Sequence, residues 1–151
     1  MFTGQPEMQG GLLKTLDFKI YLGLLTEADG EQYRIYERQC SAPGAMLAFD
    51  IRGGEKAAFA FLNHLQLVKV AVSLGSTESL AQHPATMTHA GIPADVLADM
   101  GISEKLVRLS VGVENVRDLI ADIEFALGVD DSELYGDVTF FSVFVFFYGL
   151  N

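Results

Sequence analysis

An arginine stands inside an otherwise apolar run, Leu106-Val-Arg-Leu-Ser-Val-Gly112. The apolar neighbours predict a strand from Leu106 to Val111, and a guanidinium group within such a strand requires an anionic partner. The planar fork of the arginine side chain matches a carboxylate through two parallel hydrogen bonds. Arg108 is therefore a candidate either for binding the carboxylate of a ligand or for pairing with an internal Asp or Glu. The spacing alone favours the internal pair.

A serine at position 73 is the second candidate for contact with a ligand. It ends a valine-rich run and is followed by Leu74 and Gly75. A hydroxyl group at the end of a strand, next to a glycine that lets the backbone approach closely, can hydrogen-bond a cofactor or a carboxylate. The alternative is a serine that only ends its strand.

Two histidines invite a metal-binding or acid–base interpretation, which the spacing does not favour. His83 and His89 are separated by a segment that contains Pro84, so no helix places both on one face, and no third ligand stands nearby. We expect both to be structural, with an imidazole bonded to backbone carbonyls around a turn. The sequence therefore predicts no metal site and no catalytic residue.

The elements that must position these residues alternate between strands and helices. Ala45 to Ile51 is a short apolar run closed by Gly53-Gly54, which is typical of a buried strand. The segment Glu55 to Leu65 has apolar residues at three-and-four spacing and predicts a helix. Three further elements are a strand from Leu67 to Leu74, a short helix up to Met100, and a helix capped by Asn115. This pattern predicts an α+β fold in which a small, mostly antiparallel sheet has helices packed on one face.

The composition narrows the classes of protein that the chain can belong to. Its 151 residues include 10 Lys+Arg and 20 Asp+Glu, a formal net charge of −10, so a nucleic-acid partner is not expected. The single cysteine, Cys40, excludes an intrachain disulfide, and the first residues do not form an export signal, so we expect a cytoplasmic protein. The aromatic run Val138 to Tyr148 is shorter than the roughly 20 residues of a membrane-spanning helix. We expect it to be an extra strand or an interface segment that favours self-association, and the alternative is an out-of-frame or unrelated sequence.

One long motif resembles a known family. The segment Ala71-Val-Ser-Leu-Gly-Ser-Thr-Glu-Ser-Leu-Ala-Gln-His-Pro-Ala-Thr-Met-Thr-His89, with Gly101-Ile-Ser and the run around Arg108, is similar to the carboxyl-terminal domain of the Cys/Met-metabolism enzymes that use pyridoxal 5′-phosphate (PLP). This family includes cystathionine γ-synthase, cystathionine γ-lyase and methionine γ-lyase. The resemblance implies the carboxyl-terminal domain of a fold-type I PLP enzyme. It predicts a diverged or shortened remnant of the interdomain helix region at 1–30, the substrate-carboxylate domain at 31–127, and an atypical aromatic tail at 128–151.

The resemblance also implies roles for individual residues. Arg108 matches the arginine that holds the α-carboxylate of the amino-acid substrate, and Ser73 matches the serine that lines the active site beside it. Val72 stands where cystathionine γ-lyases typically carry a glutamate. An apolar residue at this position offers no partner to a distal ammonium group, so Val72 favours methionine or homocysteine as the substrate.

No lysine of the chain stands in the setting that the cofactor requires. PLP enzymes hold the cofactor on a lysine that also moves protons, and in this family that lysine follows Ser-Ala-Thr. The five lysines here are Lys14, Lys19, Lys56, Lys69 and Lys105. We therefore expect that this chain does not bind PLP covalently and is a truncated or split member of the methionine γ-lyase-like branch. It would need a PLP domain to cleave carbon–sulfur bonds, and association into homo-oligomers is implied. The alternative is a catalytically inactive relic or interaction module that keeps the fold.

Overall fold

The computed structural model describes residues 16–128, and for residues 17–19 it describes the backbone only. The predicted aromatic run at 138–148 lies outside the described residues, as does the first half of the segment 1–30. Within 16–128 no helix combines the length and the hydropathy needed to cross a membrane.

A five-stranded sheet forms the centre of the fold. The strands are β1 (Leu16–Ile20), β2 (Met46–Ile51), β3 (Lys69–Val70), β4 (Leu80–Gln82) and β5 (Leu106–Ser110). Their order across the sheet is β1-β2-β5-β4-β3. Every neighbouring pair is antiparallel except β3 with β4, which is parallel. The predicted α+β class with a mostly antiparallel sheet is therefore confirmed.

Within residues 16–128, four α-helices accompany the sheet: α1 (Glu31–Gln39), α2 (Gly54–His64), α3 (Ala94–Asp99) and α4 (Val116–Leu127). Helix α4 begins as predicted, because the Asn115 side chain accepts the backbone N–H of Arg117 at 2.9 Å. Helix α2 follows β2 after a tight turn in which Gly53 and Gly54 have φ angles of 108° and 76°. Glycine adopts this left-handed region without strain, which explains the glycine pair at that turn.

The hydrophobic core lies between one face of the sheet and helices α2 and α4. Successive side chains of a strand point to opposite faces, so Val107 and Leu109 of β5 are buried on the core side. Phe49 of β2 meets Phe61 of α2 in an edge-to-face contact with ring centroids 5.8 Å apart. Each large apolar side chain buried in this way contributes roughly 1.5–3 kcal/mol. Helices α2 and α4 therefore cover one face of the sheet, and the side chains that point away from them form its second face.

The third predicted element is shorter than its apolar pattern indicates. The run Leu67 to Leu74 forms a strand only at Lys69–Val70, because this edge strand pairs with β4 alone and the chain then leaves the sheet. The backbone N–H of Ala71 still donates to the carbonyl of Ala81 at 2.9 Å, and exposed residues follow from Val72 onward. Strand β4 lies outside the predicted strands, because three residues give no alternating pattern.

Candidate functional site

The candidate site lies on the second face of the sheet, opposite the helices. Arg108 of β5 projects to this face because the residues before and after it face the core. In register, Arg108 lies between Ala48 of β2 and Gln82 of β4. Side chains of directly opposed residues are neighbours on the same face, with Cβ atoms about 5 Å apart. The base of the Arg108 side chain therefore lies between a small apolar residue and a glutamine.

Arg108 is half-buried and has no carboxylate partner within residues 16–128. Its Nη2 donates to the backbone carbonyl of Ser73 at 3.1 Å. Burial lowers the pKa of the Arg108 guanidinium from its ordinary value, although the group remains charged. A partly desolvated cation with a single neutral acceptor retains free N–H donors for an anion.

The nearest acidic residue of this face in register is already engaged. Asp50 of β2 is buried and stands opposite Leu106, which lies two residues before Arg108 on the same strand. Its Oδ1 accepts the Ser103 hydroxyl at 2.7 Å, and its Oδ2 lies 3.8 Å from Nζ of Lys105. The internal ion pair considered for Arg108 on spacing alone is therefore not formed with Asp50.

The loop that follows β3 carries Ser73 to the arginine. Val72, Ser73 and Leu74 are all exposed, and among the described residues the Ser73 hydroxyl has no hydrogen-bond partner. The backbone N–H of Gly75 donates to Oγ of Ser110 at 2.9 Å, which ties the loop to β5 two residues beyond Arg108. The structure thus brings Ser73 and Arg108 together through a backbone carbonyl, and the Ser73 hydroxyl is exposed and without a partner among the described residues.

A second attachment, the Ser79–Glu114 bridge, closes the far end of this loop. The buried Ser79 donates its backbone N–H and its hydroxyl to the two carboxylate oxygens of Glu114, at 2.6 and 2.7 Å. The Ser79 hydroxyl oxygen in turn accepts the backbone N–H of Gly112 at 2.8 Å. Burial raises the pKa of the Glu114 carboxyl, but the hydrogen bonds from Ser79 outweigh it and the net pKa lies below the ordinary value.

A third attachment anchors the chain where it enters β3. Asp122 of α4 is buried and accepts the backbone N–H groups of Gln66, Leu67 and Val68 at 2.7, 3.0 and 2.9 Å. Three charge-assisted hydrogen bonds from one carboxylate fix the turn between α2 and β3. The direction in which β3 leaves, and hence the position of Ser73, follows from this contact.

Val72 presents an apolar side chain to solvent next to Ser73. It is 55% exposed, as is Leu74, and Val70 of β3 is 49% exposed. These three alternate residues, here called the apolar strip, lie on the segment that runs from β3 into the loop after it. Such a strip suits an apolar part of a ligand or another polypeptide surface, since it holds no group that could pair with a charge.

The histidines make local contacts. The buried ring of His83 has Nε2 at 2.7 Å from the carbonyl of Glu104 and Nδ1 at 2.9 Å from the Thr86 hydroxyl, and it packs on Phe59. His89 has Nδ1 at 2.9 Å from the Thr88 hydroxyl. Within 16–128 no three His, Cys, Asp or Glu side chains converge to hold a metal ion.

Gln82 is a member of the site that the sequence analysis does not single out. Its side chain is 1% exposed and lies directly opposite Arg108. Its Nε2 donates to the Thr88 hydroxyl at 3.3 Å, and its Oε1 has no partner in the described part of the chain. The only sequence signal is a polar residue in the apolar stretch before His83, which is too weak to distinguish a ligand-binding side chain from a turn residue.

The lysines of the described residues do not fit a PLP site. Lys56 and Lys69 are exposed, and the ammonium group of Lys105 pairs with Asp50. PLP is held through a Schiff base on a lysine amine, and an amine already paired with a carboxylate is not free to form one. The arrangement around Arg108 instead fits a carboxylate, because it offers free guanidinium and hydroxyl donors at one place.

Comparison with known proteins identifies relatives of the same domain. Residues 19–128 match the family described as Cys/Met metabolism PLP-dependent enzyme. L-methionine gamma-lyase of Pseudomonas putida is 54% identical over 96 residues, which is 64% of this chain and 24% of that protein. The same share of each chain matches L-methionine gamma-lyase of Porphyromonas gingivalis at 51% and cystathionine gamma-lyase of Mus musculus at 47% identity. The chain spans about a quarter of the length of these relatives.

Solved structures with the same fold come from the same group. Cystathionine gamma-lyase from Lactobacillus plantarum, complexed with L-serine, superposes with a TM-score of 0.67 and 37% identity. Cystathionine gamma synthase from Xanthomonas oryzae pv. oryzae, in complex with cystathionine, gives 0.68 and 39%. Each superposition covers 76% of this chain and 29% of the other. Sequence and fold agree, and the chain belongs to the family of Cys/Met metabolism PLP-dependent enzymes.

Proposed function

We propose that residues 31–127 bind the substrate α-carboxylate in a methionine gamma-lyase-like enzyme that cleaves a carbon–sulfur bond of a sulfur amino acid. The observation that supports this most is the half-buried guanidinium of Arg108, which has no carboxylate partner among residues 16–128. A buried or half-buried cation is normally paired, so an unpaired one beside a free hydroxyl indicates that the anion is the ligand.

Arg108 and Ser73 would divide the task of holding the carboxylate. The guanidinium can donate two parallel N–H bonds, which fix the plane of the carboxylate as well as its position. The Ser73 hydroxyl can donate a third bond, since it is exposed and unpaired in the described residues. Because Ser73 also supplies the carbonyl that Arg108 contacts, the two residues would move and align together.

Val72 would influence which amino acid is accepted. Its exposed apolar side chain adjoins Ser73 and offers no carboxylate to a distal ammonium group. Such a group would lose its hydration without gaining a partner, whereas the thioether of methionine or homocysteine needs none. The Pseudomonas putida relative, which is 54% identical and named L-methionine gamma-lyase, supports this preference, while the Mus musculus cystathionine gamma-lyase matches the same share of the chain at 47%.

In this proposal the cofactor and its lysine belong to a domain other than residues 31–127. The lysine side chains at positions 56, 69 and 105 support this, since the first two are exposed and the third pairs with Asp50. Association with that domain would also cover the apolar strip Val70, Val72 and Leu74. A cytoplasmic location and a homo-oligomeric assembly belong to the same proposal.

A chimera tests the proposal directly. Residues 31–127 of this chain replace the matching segment of the Pseudomonas putida L-methionine gamma-lyase, and methionine cleavage is measured with and without Arg108→Leu. Removing one partner of a buried charge pair costs about 2–5 kcal/mol, so kcat/KM should fall about 30- to 4000-fold. The visible absorbance of bound PLP should be unchanged, because Arg108 is not expected to touch the cofactor.

Arg34→Leu is the matched control, because Arg34 lies on the exposed side of α1 and should tolerate the same substitution. Arg108→Leu with activity equal to that of the parent chimera would refute the proposal. A variant that fails to fold, with unchanged methionine affinity in the folded remainder, would assign Arg108 to the structure alone.

The alternative, a non-catalytic interaction module, is favoured by the lysine contacts described above. The same chimera separates the two functions. A chimera that folds and binds PLP but does not cleave methionine, even with Arg108 present, would support the interaction module.

A further inference from the structure

Two under-satisfied groups lie next to each other on the second face of the sheet. The Gln82 Oε1 is a buried acceptor without a donor in the described residues, and Arg108, directly opposite in the β4–β5 register, is a half-buried donor group with one acceptor. A buried amide oxygen without a hydrogen bond costs free energy, and native structures rarely leave one so. The Gln82 oxygen lacks a donor and the opposed Arg108 guanidinium has a single acceptor among the described residues, so one interaction between these two residues would explain both.

The orientation of the Gln82 amide follows from its other contact. Its Nε2 donates to the Thr88 hydroxyl at 3.3 Å, and that hydroxyl lies 2.9 Å from Nδ1 of His89. The Thr88 hydroxyl donates to the backbone carbonyl of Pro84 at 3.5 Å, so its lone pairs remain for the amide N–H. The reverse orientation would turn the positive end of the amide dipole toward the guanidinium, which is electrostatically unfavourable. Thr88 therefore holds the carbonyl end of Gln82 toward Arg108.

Among the described residues, the neighbours of Arg108 on the β2 side offer no alternative donor for the Gln82 oxygen. On the opposite side of Arg108 the registered residue is Ala48, which has no polar side-chain atom. Asp50 is engaged by Ser103 and Lys105. Because the Gln82 oxygen is inaccessible to solvent, a group that is already on the sheet must reach it, and the guanidinium has both the length and the donors.

We propose that Gln82 is a positioning residue for Arg108: its Oε1 accepts an N–H of the guanidinium when the arginine turns to hold an anionic ligand. This inference rests on the proposed carboxylate-binding function. With Gln82 as the second acceptor, the guanidinium plane is fixed at one edge and its remaining N–H pair faces the carboxylate. Gln82 does not contact the ligand.

The test compares Gln82→Met, Gln82→Glu and the exposed control Gln66→Met in the chimera described above. Methionine keeps the length of glutamine and removes the amide. We expect Gln82→Met to raise KM for methionine about three- to tenfold with little change in kcat, the range for losing one hydrogen bond. Gln82→Glu should raise KM further, because an internal carboxylate would compete with the substrate for Arg108.

Stability provides the readout that a structural role would not give. In the 151-residue chain, Gln82→Met removes a buried unpaired acceptor together with the long 3.3 Å hydrogen bond to Thr88, so the two effects oppose each other and the urea midpoint should change little. With excess methionine present, so that Arg108 takes its ligand-bound orientation, the Nε–Hε resonance of Arg108 in an NMR spectrum should shift in Gln82→Met and not in Gln66→Met. A lowered urea midpoint with unchanged KM would make Gln82 purely structural and refute the inference.

The Arg108 and Gln82 variants distinguish failure of the proposed function from failure of this inference. If Arg108→Leu leaves kcat/KM unchanged, the proposed function fails. If Arg108→Leu lowers kcat/KM while Gln82→Met leaves KM unchanged, only this inference fails.

Discussion

Asp122 provides the sharpest test of how the helices position the site. Its two carboxylate oxygens accept three consecutive backbone N–H groups, with Oδ1 bonded to Gln66 and Oδ2 bonded to Leu67 and Val68. Asp122→Asn keeps the shape of the side chain but leaves one oxygen. In its best orientation the amide oxygen serves Leu67 and Val68, and the NH₂ group then faces the N–H of Gln66 at the former 2.7 Å position, donor against donor.

The expected cost follows from those three bonds. One hydrogen bond to a charged group, worth about 1.5–3 kcal/mol, is lost, and the other two become weaker because the acceptor is neutral. We expect Asp122→Asn to lower the free energy of unfolding by about 2–4 kcal/mol, which corresponds to about 30- to 700-fold in the unfolding equilibrium. Urea denaturation followed by far-UV circular dichroism measures it, since the chain has no tryptophan.

Asp118→Asn is the matched control on the same helix, four residues earlier. Its side chain is exposed in the first turn of α4, so the substitution loses only the helix-dipole contribution of about 0.3–1 kcal/mol. Equal losses for the two variants would refute the assignment of Asp122 as the anchor of the α2–β3 turn. A loss below about 1 kcal/mol for Asp122→Asn would have the same consequence.

Three further outcomes are expected. Gly112→Ala should destabilise the domain by several kcal/mol in urea denaturation, because its Cβ would lie 2.5 Å from Oε2 of Glu114 and 2.7 Å from the carbonyl carbon of Glu78; an unchanged midpoint would contradict this packing. Glu114, whose folded-state pKa lies below the ordinary 4.5, stabilises the fold above that value and loses its contribution as the pH falls through the folded pKa. The urea midpoint of Glu114→Gln should therefore lie below that of the parent chain at neutral pH, and the difference should narrow in acid. Finally, the 151-residue chain incubated with PLP and borohydride should carry no specific pyridoxyl-lysine by peptide mass mapping; one specifically labelled lysine together with methionine cleavage would contradict the proposal that another domain supplies it.

Elements with a strong apolar period could be predicted from the sequence. Four elements lie within one or two residues of their predicted bounds: β2, β5, α2 and α4. Each is a run of apolar residues that is buried on one side or on both sides, and such a run has a recognisable period. Lys69–Val70 is shorter than the valine-rich run predicts, since this edge strand has β4 as its one neighbour and the chain leaves the sheet after Val70. Apolar composition reports burial and β-propensity, and it does not report how many residues of a run find a neighbouring strand.

The contacts that complete the site could not be predicted, because they join residues far apart in the chain. The Ser79–Glu114 bridge spans 35 positions, and the contact of Arg108 with Ser73 also spans 35. The second contact uses the backbone carbonyl of Ser73, which every residue type possesses and which therefore leaves no trace in the sequence. The role of Ser73 was inferred from its hydroxyl, and the structure adds a backbone role that composition and spacing cannot encode.

The pattern of satisfied and unsatisfied buried polar groups points to the same residues without reference to any family resemblance. In residues 16–128 the other buried polar side chains have partners: Asp50, Ser79, His83, Ser110 and Asp122. The buried side-chain atom without one is Oε1 of Gln82, and its neighbour in register is the half-buried Arg108, which has a single carbonyl acceptor. A leucine at position 108 would suit a strand whose other residues are mostly apolar, and replacing a poorly paired internal charge by an apolar group often stabilises a protein. The arginine is therefore difficult to explain by folding, and a carboxylate bound from outside would satisfy both it and, through its reorientation, the glutamine.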